Sequence, residues 1–162
     1  MESKGKARSL ALDLYDQWET MNKDGKWRFT SPTHVVLAFA QALKEMEEEG
    51  GIPARAKRYE ENNRLLIRKM GEMGIRPYIG SEHQGPIITT FLYPEHHNFS
   101  FQEMYQYIKD RGYAIYPGKV TDADTFRIGN IGEIYKEDIE KVSDIIEEYF
   151  EKCCGGLVRQ TA

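Results

Sequence analysis

The sequence predicts an α+β fold: a small antiparallel or mixed sheet of about four strands, helices packed on one of its faces, and further helices ahead of it. Three observations carry this expectation. The first 74 residues read as three successive helices, with apolar residues recurring three and four apart. After Gly74 the period changes, and short stretches rich in Ile, Thr, Phe and Tyr take over. Those stretches then mix with helical ones, which suits a small sheet with helices on one face.

The elements follow in order. "SLALDLYDQWETMN" places Leu10, Leu14, Trp18 and Met21 on one helical face, and "NKDGK" ends it. Pro32 suits the start of the next helix, with Ser31 as its cap. In "THVVLAFAQALKEMEEEGG", residues Val35, Leu37, Ala38, Ala42 and Met46 read as a mostly buried face, closed by Gly50 and Gly51. A third helix starts after Pro53, carries Tyr59, Leu66 and Met70, and stops at Gly74. "IRPYI" and "PIITTFLYP" read as strands. "SFQEMYQYIKDRG" reads as a helix capped by Ser100 and stopped by Gly112. "YAIYPG" and "TFRIGN" are two more strands. The closing helix, "KEDIEKVSDIIEEYFEKCC", shows Ile139, Val142, Ile145, Ile146, Tyr149 and Phe150 at amphipathic spacing. Residues 1–9 read as a loose polar segment, 10–152 as one domain and 153–162 as a tail.

Composition excludes several classes of function. The 162 residues are 40% hydrophobic and 30% charged, as in ordinary globular domains. With 22 basic and 26 acidic residues, the net charge of −4 offers no footprint for nucleic acid. No apolar run is long enough for a membrane helix, and no signal peptide is evident. The two cysteines, Cys153 and Cys154, are adjacent and give no disulfide framework, which fits a reducing, cytoplasmic setting. Their place at a helix end among acidic residues does not favour a thiolate. His96 and His97 lie side by side on a loop, and with His34 and His83 they form no familiar metal-ligand spacing. No metal site is expected.

One stretch points to chemistry. In "ADTFRIGNIGE", Arg127 sits inside a strand and is followed by Gly129 and Gly132. A guanidinium is a planar fork of donors with a permanent charge. A strand fixes its direction, and small neighbours leave room for an anion such as a carboxylate or phosphonate. An ordinary pairing with a surface glutamate is the competing reading. A second stretch, "WRFTSPTH", offers the hydroxyls of Thr30, Ser31 and Thr33 and the charge of Arg28 near a helix start. That could cradle a phosphate or simply cap the helix.

Together these stretches resemble a known family. "KWRFTSPTH", followed by "YPGK" and "FRIGNIGE", is similar to the C-terminal part of the 2-aminoethylphosphonate–pyruvate aminotransferases. These are class V enzymes of the fold-type I pyridoxal-phosphate group. "ARSLALDLYDQW" and "GPIITTF" fit the same pattern, so the resemblance runs from about Ala7 to Phe150. It implies transfer of the amino group of 2-aminoethylphosphonate to pyruvate, giving phosphonoacetaldehyde and L-alanine, with pyridoxal 5'-phosphate as electron sink. It implies that Arg127 binds the substrate's anionic end. It further implies that Thr30 reaches the cofactor phosphate of a neighbouring subunit in a homodimer.

The family's Schiff-base lysine, its aspartate facing the pyridine nitrogen and most of its phosphate ligands belong to a large domain ahead of everything matched here. Lys4 and Lys6 fall in what resembles the linking segment. The expectation is therefore a small C-terminal domain that does not transaminate alone. Two alternatives stay open: a piece of another class V enzyme, such as the alanine–glyoxylate type, or a stand-alone anion-binding or dimerisation module.

Overall fold

The computed structural model describes residues 2–118 and 122–157. The chain forms two compact units, Met1–Glu48 and Glu49–Ala162.

The first unit holds two helices, α1 (Leu14–Asp24) and α2 (Thr33–Glu48). Helix α1 starts four residues later than its apolar spacing suggests because Asp13 caps it, its carboxylate accepting from the Asp16 N–H at 3.0 Å. Arg28 ties the loop after α1 back to the segment ahead of it. Its guanidinium donates to the carbonyls of Asp13 (2.7 Å) and Leu10 (2.6 Å) and pairs with Asp16 at 2.8 Å. Ser31 is not the cap of α2. The Val36 N–H donates to the Pro32 carbonyl at 3.0 Å, which puts the cap position at Pro32. Nor is the apolar side of α2 buried: Val35 and Leu37 keep 68% and 63% of their surface, and α2 has no buried residue.

The second unit holds α3 (Gly51–Glu72), β1 (Ile88–Leu92), α4 (Phe101–Lys109), β2 (Tyr116–Pro117), β3 (Thr125–Gly129) and α5 (Lys136–Tyr149). A π-helical turn, Phe150–Cys154, extends α5. The strands form an antiparallel sheet in the order β1-β3-β2. The fold class is as expected, with three strands among the described residues against an expectation of about four. "IRPYI" contributes a single bridge between Pro77 and Phe91, flanked by the Tyr78 N–H on the Thr90 carbonyl and the Leu92 N–H on the Arg76 carbonyl. Pro77 has no N–H to donate, so this edge does not extend into a strand.

The core lies between the sheet and the helices. Leu66, Met70, Ile75, Phe91, Met104, Ile108, Phe126, Ile146 and Tyr149 are fully enclosed. Phe91 and Phe126, paired across β1 and β3, stack with ring centroids 5.6 Å apart. Ser100 caps α4 through the Glu103 N–H as expected, and its backbone also bonds with the buried Tyr149 hydroxyl. The segment assigned to a tail begins inside this core, because Cys154 is buried and Leu157 packs against it.

Candidate functional site: the exposed-side arginine of the sheet

Strand β3 alternates. Phe126 and Ile128 point into the core, so Arg127 and Gly129 belong to the other face, turned away from α3 and α5. Arg127 is half-buried, and one terminal nitrogen donates to the Pro117 carbonyl of β2 at 3.3 Å. Its Nε is shielded from solvent and has no hydrogen-bond partner among the described residues. Among those residues no carboxylate forms an ion pair with it, so the surface-glutamate pairing is not what holds it.

The register fixes the neighbours of Arg127: Thr90 on β1 and Tyr116 on β2 are its direct partners. Directly opposed residues of antiparallel strands share a face. A hydroxyl, a guanidinium and a phenol therefore form one row across the three strands. Gly129 adds no side chain beside it. A Cβ there would meet only the Ile87 carbonyl, at an ordinary 3.7 Å. Its absence is thus not demanded by packing.

The segment just after β3 is held by α3, chiefly through Arg58 and Asn62, which the sequence does not single out. Arg58 donates to the carbonyls of Gly132 and Ile134, both at 2.8 Å. Asn62 donates to Ile134 at 2.8 Å, and the Tyr59 hydroxyl accepts from the Gly132 N–H at 3.1 Å. The buried Asn130 donates to the carbonyls of Tyr59 and Pro86 at 3.1 and 2.9 Å. Arg58 is itself fixed by Glu49, Nε to carboxylate at 2.6 Å, with Arg55 on the same carboxylate at 2.7 Å. Those hydrogen bonds, from Arg58 first and then Arg55, hold the Glu49 carboxyl down at about 2. The available signal was Asn62 and Asn63, polar residues in register with Tyr59, Leu66 and Met70. Asn63 indeed lies inside, donating to Thr89 at 2.8 Å.

The other predicted groups fall elsewhere. Thr30 is exposed in the first unit, on the loop before α2, while Arg127 is in the second. Ser31 accepts from the Thr33 hydroxyl at 3.2 Å. Arg28 is not part of an anion cradle, because carbonyl oxygens and Asp16 occupy its guanidinium and leave its side chain 6% exposed. His96 and His97 stack at 5.0 Å; His96 Nδ1 accepts from the Asn98 N–H, which leaves Nε2 to donate to the Gly156 carbonyl at 3.1 Å. Cys154 donates to the Asn98 carbonyl, and burial pushes its thiol up, away from a thiolate.

No family model matches the chain. Among curated proteins it is 61% identical over 146 residues to a 2-aminoethylphosphonate–pyruvate transaminase of Lysinibacillus sphaericus (strain C3-41). It is 58% identical over 147 residues to one of Bacillus thuringiensis (strain Al Hakam). Each match covers 90% of this chain, and the chain spans about 40% of the length of these relatives. Solved structures share the fold. An aspartate aminotransferase of subgroup IV from Thermus thermophilus matches with a TM-score of 0.72 and 24% identity, over 90% of this chain and 40% of that one. An alanine–glyoxylate aminotransferase from Nostoc sp. matches with a TM-score of 0.72 and 18% identity, over 88% and 39%. Over nine tenths of its length the chain is thus homologous to part of the 2-aminoethylphosphonate–pyruvate transaminases, with an aminotransferase fold.

Proposed function

We propose, from that homology, that the chain is the small C-terminal domain of a transaminase that moves the amino group of 2-aminoethylphosphonate to pyruvate. The products are phosphonoacetaldehyde and L-alanine. Arg127 carries the reading. A shielded guanidinium Nε without a partner costs about 1–3 kcal/mol. An anionic substrate end laid along the fork would satisfy it.

The described residues fit the holding of anions and do not fit covalent attachment of pyridoxal 5'-phosphate. Among the described lysines only Lys69 is not exposed, and it pairs with Asp144 on α5, on the helix side of the sheet. No step is therefore assigned to the cofactor on this chain. Its own part is to grip the substrate's phosphonate or carboxylate at Arg127. Thr30, exposed on its loop, would offer a hydroxyl to a cofactor phosphate of the other subunit in a homodimer. The apolar side chains left open on residues 10–43 support that dimer, since patches of this kind mark interaction surfaces. By itself the chain should not transaminate.

The test is Arg127→Ala in the full-length transaminase. Loss of a charge-assisted contact should cost about 1.5–3 kcal/mol of substrate binding. That is a rise in KM for the phosphonate of roughly tenfold or more. An unchanged KM removes Arg127 from the site.

A further inference from the structure

We propose that Thr90 and Tyr116 are specificity-determining residues that tune the Arg127 site for a tetrahedral phosphonate over a planar carboxylate. The proposal rests on the reading of Arg127 as the anion-binding group.

The hydrogen-bond phase of the sheet sets how close these side chains stand. The Asn130 N–H donates to the Ile87 carbonyl, and the Tyr93 N–H to the Asp124 carbonyl. These pairs bracket the β1–β3 ladder, so every second pair between them is hydrogen-bonded. Thr90 and Arg127 fall in the alternate, non-hydrogen-bonded class. In that class the Cα atoms are about 4.5 Å apart and the side chains are at their closest. On the other side the Gly118 N–H donates to the Thr125 carbonyl, which makes Tyr116 and Arg127 a hydrogen-bonded pair with a wider gap of about 5.5 Å. A small hydroxyl therefore sits close on one flank of the guanidinium, and a long phenol stands farther off on the other.

The chemistry of the ligand does the rest. A carboxylate has two oxygens in one plane, and the planar fork of an arginine can satisfy both. A phosphonate has three oxygens. When two lie along the fork, the third leaves its plane toward one flank. Among the described residues, neither the Thr90 hydroxyl nor the Tyr116 hydroxyl has a side-chain hydrogen bond inside the protein. Tyr116 is 59% exposed. Both flanks thus offer an O–H donor to the third oxygen, and Gly129 leaves the approach clear. A carboxylate has no third oxygen to place there and gains less from either. A site that hydrogen-bonds a ligand oxygen discriminates against the analogue lacking it.

The experiment titrates the full 162-residue chain with methylphosphonate and, separately, with acetate. The Arg127 Nε–H resonance is followed by NMR. The chain is tested alongside Arg127→Ala, which is followed at backbone amides of β3, and Thr90→Val/Tyr116→Phe. The double variant should bind methylphosphonate about tenfold more weakly, a loss of one or two hydrogen bonds to a charged group, with acetate changed less than twofold. Thr90→Ser should restore part of the difference, which a merely structural role would not. If the double variant binds both anions as the parent does, or weakens both equally, the proposal is overturned while the Arg127 reading stands. If Arg127→Ala leaves the methylphosphonate shifts in place, or the parent shows none, the Arg127 reading falls and this proposal with it.

Discussion

In residues 49–162 the large apolar side chains Phe91, Phe126, Met104 and Ile146 are fully enclosed, whereas in residues 1–48 Leu14, Val35, Leu37 and Phe39 keep 63–80% of their surface. The two units have comparable helical patterning. They differ in what stands opposite each apolar face. Helices α3, α4 and α5 share a sheet and one another, and their side chains meet. Within its own unit, α2 has only α1 and a loop, a set too small to enclose a core. That unit is held by local devices instead: the Asp13 cap and the Arg28 clasp on the carbonyls of Leu10 and Asp13. An amphipathic pattern therefore says that a face needs covering, and not what covers it.

The sharpest way to break the comparison is truncation in each unit. Phe126→Ala should cost about 3–5 kcal/mol by chemical denaturation, because it empties a buried site beneath the sheet. Phe39→Ser should leave that stability within about 0.5 kcal/mol, as for exposed positions generally. Its effect should appear in association, where loss of an apolar contact weakens self-association measured by sedimentation. Equal destabilisation by both variants would erase the distinction. A parent chain that stays monomeric at high concentration would remove the docking role of the first unit.

This difference also explains what was legible in the sequence. The periodicity of α3 and α5 named core residues, among them Leu66, Met70, Ile139 and Ile146, although Tyr59 and Ile145 on the same faces are only half-buried. The same periodicity in α2 named a face, Val35 to Met46, that the unit leaves open. The strands after Gly74 were legible by composition, but Pro77 reduced one of them to a bridge. At the site, the direction of Arg127 followed from strand alternation. The clasp made by Arg58, Tyr59 and Asn62 did not, because its partners are backbone carbonyls and a backbone N–H more than 70 residues away. The clasp of Arg28 was not legible either, since two of its partners are backbone carbonyls beside the Asp16 carboxylate.

A finer contrast lies within the loop after β3. Gly132 has φ of +91°, in the region that side chains avoid, and its carbonyl is held by Arg58. Gly132→Ala should cost about 1–2 kcal/mol. Gly129→Ala, with an ordinary 3.7 Å approach to Ile87, should cost less than about 0.5 kcal/mol in thermal or chemical melts. If the order reverses, Gly129 is there for packing and not to leave room beside Arg127.

The smallest expected effect concerns Glu49, the first residue of the second unit and the anchor of Arg58. Its carboxyl lies at about 2 in the folded chain against 4.5 ordinarily, chiefly through the Arg58 hydrogen bond. The folded state therefore binds fewer protons than the unfolded state between these values. The contribution is complete above pH 4.5 and fades as pH falls toward 2. Glu49→Gln carries no such proton, so its stability should fall less steeply across that window than the parent's in acid unfolding followed by circular dichroism. Because the pair is part-exposed, with side chains 20% and 15% accessible, salt should flatten the parent's slope toward that of the variant. Parallel acid profiles would mean that Arg58 holds the Gly132–Ile134 segment without help from Glu49, through the two carbonyls alone.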